Sequence, residues 1–195
     1  MSATVMGRVD ARTADYAAAV VEAIRRHASV LGAYVLGSGA SDSFDPQASD
    51  LDLVVVVDAA PDAPLRAELR QELESLQRPV RRLELVVYES GRQPPDFALN
   101  LNVDDDGAAE RPDEAAHWFV IDAAIAQDTA VVLSGPPWSS LFEEISKDRL
   151  GEALVQSIAW SEAQPAGDEF ARVNAVRSRH YLETGEWLSK AEARR

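Results

Sequence analysis

The stretch Leu36 to Asp58, LGSGASDSFDPQASDLDLVVVVD, constrains the fold of this chain more than any other. Its second half, Leu51 to Val57, is a nearly unbroken run of leucine and valine, the pattern of a strand buried on both faces. Such a strand needs neighbours on either side and a covering layer above and below. Side chains at i and i+2 of a strand share a face. Asp50 and Asp52 therefore point the same way at the mouth of the strand, while Leu51 and Leu53 point into the core. Two carboxylates held that close repel each other unless a cation sits between them. For all-oxygen ligands beside phosphates the usual cation is Mg²⁺. The chemistry this pattern suggests is metal-assisted attack on a nucleotide phosphate.

Two further features give that reading its parts. Gly37, Ser38 and Gly39 come directly after the short apolar segment Ala33 to Leu36. Glycine lets backbone N–H groups approach anionic oxygens closely, and the serine hydroxyl adds a donor. Glu84 lies in the segment Val80 to Tyr88, flanked by Leu83, Leu85, Val86 and Val87, where an unpaired carboxylate would be costly. If that segment pairs with the Leu51–Val57 strand, Glu84 can face the side of Asp50 and Asp52. It then completes a metal site or acts as general base on a substrate hydroxyl. Each feature alone has a bland explanation, a tight turn or an edge residue; their order and spacing together carry the inference.

Composition excludes several alternatives. The 195 residues contain no cysteine, which removes disulfides, thiolate zinc sites and cysteine nucleophiles. The three histidines, His27, His117 and His180, show no metal-ligand spacing. With 33 acidic and 19 basic residues the formal net charge is −14, a poor match to nucleic acid and an attractive field for a cationic small molecule. No apolar run approaches the length of a membrane span, and no leader pattern opens the chain, so a soluble cytoplasmic protein is expected.

The rest of the chain divides into recognisable elements. Residues 11 to 30 read as an amphipathic helix with Tyr16, Val20, Ala23 and Ile24 buried, and 64 to 77 as a second helix with Leu65, Leu69, Leu73 and Leu76 on its apolar side. Residues 39 to 49 read as a surface loop, and 89 to 114 as a long acidic loop with one short strand near Phe97 to Val103. Asp104, Asp105, Asp106 and Glu110 are then solvated charge. A helix over 114 to 126 and a short extended segment over 130 to 133 come next. From Trp138 the pattern is helical, with helices over 149 to 162 and 168 to 184, a glycine C-cap at Gly185 and a capping box at Ser189–Glu192. The expected fold class is α+β: a mixed sheet flanked by helices over residues 1–137, then an all-helical domain over 138–195.

The Gly-Ser, Asp-x-Asp and later Glu order resembles the nucleotidyltransferases of the DNA polymerase β-like superfamily. Segments HWFVIDAAIAQDTAVVLSGPPW (117 to 138) and RVNAVRSRHYLETGEWLSK (172 to 190) are similar to aminoglycoside adenylyltransferases of the streptomycin/spectinomycin type. The resemblance implies ATP as substrate, Mg²⁺, and transfer of AMP to an antibiotic hydroxyl with release of pyrophosphate. It implies that Asp50 and Asp52 hold the metals with Glu84, that Glu84 is the catalytic base, and that Gly37 and Ser38 grip the terminal phosphates. Lys190, one of two lysines in the chain, takes the place of a family lysine that closes onto triphosphate. Trp118, Asp168, Glu169 and Arg177 become candidate acceptor contacts. Each has an ordinary structural alternative: core packing for Trp118, helix-dipole placement for the two acids. Arg172, Asn174, Arg177 and Tyr181 share one helical face and form a candidate cleft wall. A monomer or weak dimer is expected, and so is a helical domain short of the family's last helices. Two alternatives remain: adenylylation of a protein partner, against which the helical region counts, and a non-catalytic nucleotide-binding relative, against which the three retained carboxylates count.

Overall fold

The valine-rich run lies at the centre of a six-stranded mixed sheet. In the computed structural model, which describes residues 9–41 and 44–195, β1 is Val30–Leu36, β2 Asp50–Val57, β3 Arg82–Glu89, β4 Leu99–Asp104, β5 Gly107–Glu110 and β6 Val131–Ser134, in the spatial order β5-β4-β3-β2-β1-β6. β2 and β3 run parallel and every other pairing is antiparallel. The parallel step needs a crossover, and α2 (Ala63–Ser75) supplies it. Of the surface loop read over 39 to 49, positions 42 and 43 lie outside the described residues.

Both faces of β2 are covered, as its composition requires. Leu51, Leu53, Val55 and Val57 join Leu83, Leu85, Val87, Leu101 and Val103 in one core, which α1 (Ala11–Arg25) caps with Tyr16, Val20, Ala23 and Ile24 and α2 with Leu69 and Leu73. On the opposite face Val54 and Val56 lie under an aromatic cluster. Tyr34 meets Trp138 edge-on at 5.2 Å, Trp138 stacks on Phe142 at 4.1 Å, and Phe142 meets Tyr88 at 5.2 Å between centroids. The aromatics sit toward the C-terminal end of β2 and β3, where Val54 pairs with Tyr34 and Val56 with Tyr88. They leave the N-terminal end of that face to polar side chains.

Element ends obey local chemistry. Asp10 caps α1, accepting from the N–H groups of Arg12 and Thr13, and Asp62 caps α2 ahead of Pro64. The first helix ends at Arg25, not near residue 30, because Val30 is already paired with Val57 in the sheet. The acidic region after β3 is more ordered than a loop. Asp104-Asp105-Asp106-Gly107 turns the chain into β5, with the Asp106 N–H donating to Asp104 Oδ1 at 3.0 Å, Gly107 at φ +109°, and Asp105 paired with Arg78.

The chain forms two compact units, Met1–Glu114 with Ile125–Glu144, and Ala115–Ala124 with Ile145–Arg195. The division passes through α3 (Ala116–Thr129). The second unit is helical. Its α4 (Lys147–Glu162) and α5 (Glu169–Thr184) pack through Leu150, Ala153, Leu154 and Ser157 on one side and Ala171, Asn174 and Ser178 on the other. Ser178 Oγ donates to Ser157 Oγ at 3.1 Å inside that contact. α5 runs from its Asp168 cap to Gly185 at φ +76°, and α6 (Lys190–Ala193) begins at the capping box of Ser189 and Glu192. No helix among the described residues is long and apolar enough to cross a membrane.

Candidate active site

Strand register collects the sequence-predicted carboxylates on one face. Across the parallel β2–β3 pair Asp50 stands opposite Arg82 and Asp52 opposite Glu84, while Leu51 and Leu83 between them are fully buried in the helix-covered core. The alternation that sends those leucines inward turns Asp50, Asp52, Arg82 and Glu84 to the other face. β4 continues both rows: Asn102 is the partner of Glu84, and Asp104, two residues on, shares its face. On the far side Leu36 is the partner of Asp52, so the chain leaves β1 beside that carboxylate.

Immediately after Leu36 the chain makes a single 3₁₀ turn, Gly37–Ala40. Gly37 adopts φ +58°, and a β-carbon there would stand 2.1 Å from Asp52 Oδ2. Only a residue without a side chain lets the backbone meet the carboxylate so closely. Ser41 closes the turn with its N–H donating to the Ser38 carbonyl at 3.0 Å. Gly37 is exposed and Ser38 half-buried at the mouth of the polar face. Gly37, Ser38, Asp52 and Glu84 thus belong to one constellation.

Two arginines enter this cluster, and neither figured among the candidates read from the sequence. Arg81 forks Asp50, its Nε at 3.1 Å from Oδ1 and its Nη2 at 2.8 Å from Oδ2. The hydrogen bond to Asp50, with the Asp50 and Glu84 charges, outweighs partial burial and holds the Arg81 guanidinium above its ordinary value. Arg82 donates from Nη1 to Glu84 Oε1 at 3.2 Å, with its Nε 3.7 Å from Asp50 Oδ1 and 4.0 Å from Asp104 Oδ2. The signal for Arg82 was available: it stands two residues before Glu84 on an alternating strand, which fixes it to the same face. Nothing local announces Arg81, whose partner comes from β2.

The donor chemistry suits a hard divalent ion. Asp50, Asp52 and Glu84 offer only oxygen, the choice of Mg²⁺, and they share a face. Their arrangement is nonetheless not a closed cage, since no group of three acids or histidines among the described residues converges tightly enough to hold an ion. Arginine occupies the space between two of them.

The other candidates lie in the second unit. Trp118 is half-buried in an aromatic cluster with Trp160 at 5.4 Å and Phe170 at 5.9 Å. Asp168 accepts from the Ala171 N–H at 2.9 Å as the cap of α5, and Glu169 pairs with Arg194 at 2.9 Å. Arg177 donates from Nε to the Leu188 carbonyl at 2.8 Å and lies 5.8 Å over the Trp187 ring; burial lowers its pKa, against the pull of Asp122. Lys190 is exposed in the first turn of α6. Of the wider polar face on α5, Asn174 is buried with its side-chain nitrogen unpaired, and Tyr181 lies tilted against Trp187 at 4.3 Å between centroids.

Residues 18–99, from within α1 to the start of β4, match the nucleotidyltransferase domain family. That span contains Gly37, Ser38, Asp50, Asp52 and Glu84. The chain carries a nucleotidyltransferase domain there. Its fold is that of the spectinomycin adenyltransferase from Enterococcus faecialis, whose crystal structure holds ATP and spectinomycin. The two superpose with a TM-score of 0.73 at 18% sequence identity, over 93% of this chain and 80% of the other. Curated protein sequences give no match. The chain has a mixed sheet flanked by helices with a helical C-terminal region, as the sequence pattern predicts.

Proposed function

We propose that this protein is a nucleotidyltransferase that moves AMP from ATP to a hydroxyl of a small cationic acceptor, an aminoglycoside or aminocyclitol, with release of pyrophosphate. The observation that carries the reading is the shared face of Asp52 and Glu84, in register across β2 and β3 and beside the Gly37–Ser38 turn. The acceptor oxygen attacks the α-phosphorus, the bond from that phosphorus to the α,β-bridging oxygen breaks, and the hydroxyl proton passes to the Glu84 carboxylate. Pyrophosphate leaves with the bridging oxygen.

Each candidate residue has a proposed role. Asp50, Asp52 and Glu84, which do not close a cage by themselves, would hold Mg²⁺ together with oxygens that the nucleotide adds, and the ion when bound neutralises the charge of the phosphates. Backbone N–H groups of Gly37 and Ser38, with the serine hydroxyl, orient the terminal phosphates. Lys190 is proposed as a compact positive charge for the triphosphate. Trp118, Asp168, Glu169 and Arg177 are proposed as acceptor contacts, the acids toward ammonium groups. The net charge of −14 favours approach of a cation, and the proposed setting is the cytoplasm, with the protein a monomer or weak dimer.

The test is a panel of aminocyclitols, spectinomycin and streptomycin among them, incubated with ATP and Mg²⁺. Pyrophosphate and an adenylylated product are expected from at least one member. If no member yields either, the acceptor class is wrong; a protein substrate labelled from ATP in its place would mark the enzyme as a modifier of a partner.

A further inference from the structure

We infer that Arg82 is a resident counter-ion of the acidic face, which keeps the divalent ion out until the nucleotide brings it in. The inference rests on the proposed role of Asp50, Asp52 and Glu84. Arg82 is the direct register partner of Asp50 and contacts carboxylates from three strands: Asp50 of β2, Glu84 of its own strand and Asp104 of β4. Its side chain is 30% exposed and that of Asp50 19%, so these pairs are only partly screened by water. Arg81 occupies both oxygens of Asp50 from a more exposed position, with 51% of its side chain accessible. The ion would have to enter within a few ångströms of the Arg82 charge and take oxygens that the guanidinium already faces.

The geometry favours arrival as a metal–triphosphate unit. The phosphates bring the negative charge that compensates both cations, and phosphate oxygens suit a planar guanidinium as well as carboxylates do. Arg82 is therefore a positioning residue. It keeps Glu84 oriented toward the polar face in the free enzyme, and it couples metal affinity to nucleotide binding.

The experiment measures Mn²⁺ binding by electron paramagnetic resonance on the full chain, alone and with a non-hydrolysable ATP analogue. Wild type, Arg82→Gln, Arg82→Lys, Asp104→Asn and Asp52→Asn are compared after melting curves establish that each folds. Wild-type protein binds Mn²⁺ weakly alone and much more tightly with the analogue. Arg82→Gln binds Mn²⁺ alone about tenfold or more tightly than wild type, the scale on which groups around a metal site tune its affinity. Its enhancement by the analogue shrinks to match. Arg82→Lys keeps the charge and stays near wild type. Asp104→Asn leaves Arg82 to the other two carboxylates and weakens binding of the ion alone.

Should Arg82→Gln bind Mn²⁺ alone no better than wild type, while Asp52→Asn abolishes binding, Arg82 is not the gatekeeper and the metal site stands. Should no Asp52-dependent Mn²⁺ binding occur in any variant, with or without the analogue, the metal role of the three carboxylates fails and this inference with it.

Discussion

Gly37 and Asp52 are in backbone-to-carboxylate contact: a β-carbon on Gly37 would overlap Asp52 Oδ2 at 2.1 Å, and the residue holds φ +58°. The contact ties the turn proposed for the phosphates to the candidate metal ligand, so a change at one displaces the other. Gly37→Ala carries the left-handed backbone penalty of about 1–2 kcal/mol, and the clash adds to it. The melting temperature is expected to fall by several degrees. Pyrophosphate release should fall further than the lost stability explains, because Asp52 is pushed from its place. Melting curves and turnover of the same preparation check this.

Much of this arrangement was legible before the structure. The valine run demanded a central strand covered on both sides, and the two-residue spacing placed Asp50 and Asp52 together. The ends of α5 were written in Asp168 and Gly185. The strand expected near Phe97 to Val103 is β4, but its hairpin with β5 was not legible. Its Asp-Gly turn signal was masked by three consecutive acids, and Ala108 and Ala109 carry little strand propensity. The ion pairs of Arg81 were equally hidden, because parallel register joins residues about thirty positions apart and no local pattern encodes which acid faces which base. Whether Trp118 serves packing or an acceptor cannot be read from periodicity, since an aromatic on a helix looks the same in both roles.

Tyr16 sits in the core with its hydroxyl lacking a hydrogen-bond partner, and burial pushes its phenol up to about 12 from 10.0. A pKa raised in the folded state means that stability is intact below pH 10 and declines as pH rises from 10 toward 12, where only the unfolded chain readily ionises. Tyr16→Phe removes a buried polar group that gains nothing from the protein. It should leave the neutral-pH melting temperature equal or up to a few degrees higher and flatten the alkaline decline. Thermal melts across that range decide the matter.

His117 is buried with Nε2 unpartnered, and desolvation lowers its pKa from 6.5. The unfolded chain therefore takes up a proton at higher pH than the folded one. The contribution of this site to stability is complete above about pH 6.5 and is lost as pH falls from there through the folded pKa. His117→Gln, which does not titrate, should lessen the loss of melting temperature between neutral and mildly acidic solution. An unchanged pH slope would assign that loss to other groups.

Asp168 has a known structural duty as the cap of α5 and a proposed one toward the acceptor. Asparagine caps as well as aspartate, so Asp168→Asn separates the two. The melting temperature should hold while the KM for a cationic acceptor rises by up to about fivefold, the worth of one partly exposed ion pair. Asp168→Ala should lose about 1 kcal/mol of stability as well. A KM unchanged in Asp168→Asn would leave the residue as a cap alone.

The central claim is that Glu84, facing Asp52 across β2 and β3, takes the proton during nucleotidyl transfer. The most direct measurement is single-turnover transfer of label from ATP marked at its α-phosphate to the acceptor, in wild type and Glu84→Gln, beside ATP binding by both. The amide should slow transfer by about 10²–10⁴-fold with nucleotide affinity little changed. Transfer at the wild-type rate by Glu84→Gln would contradict the account.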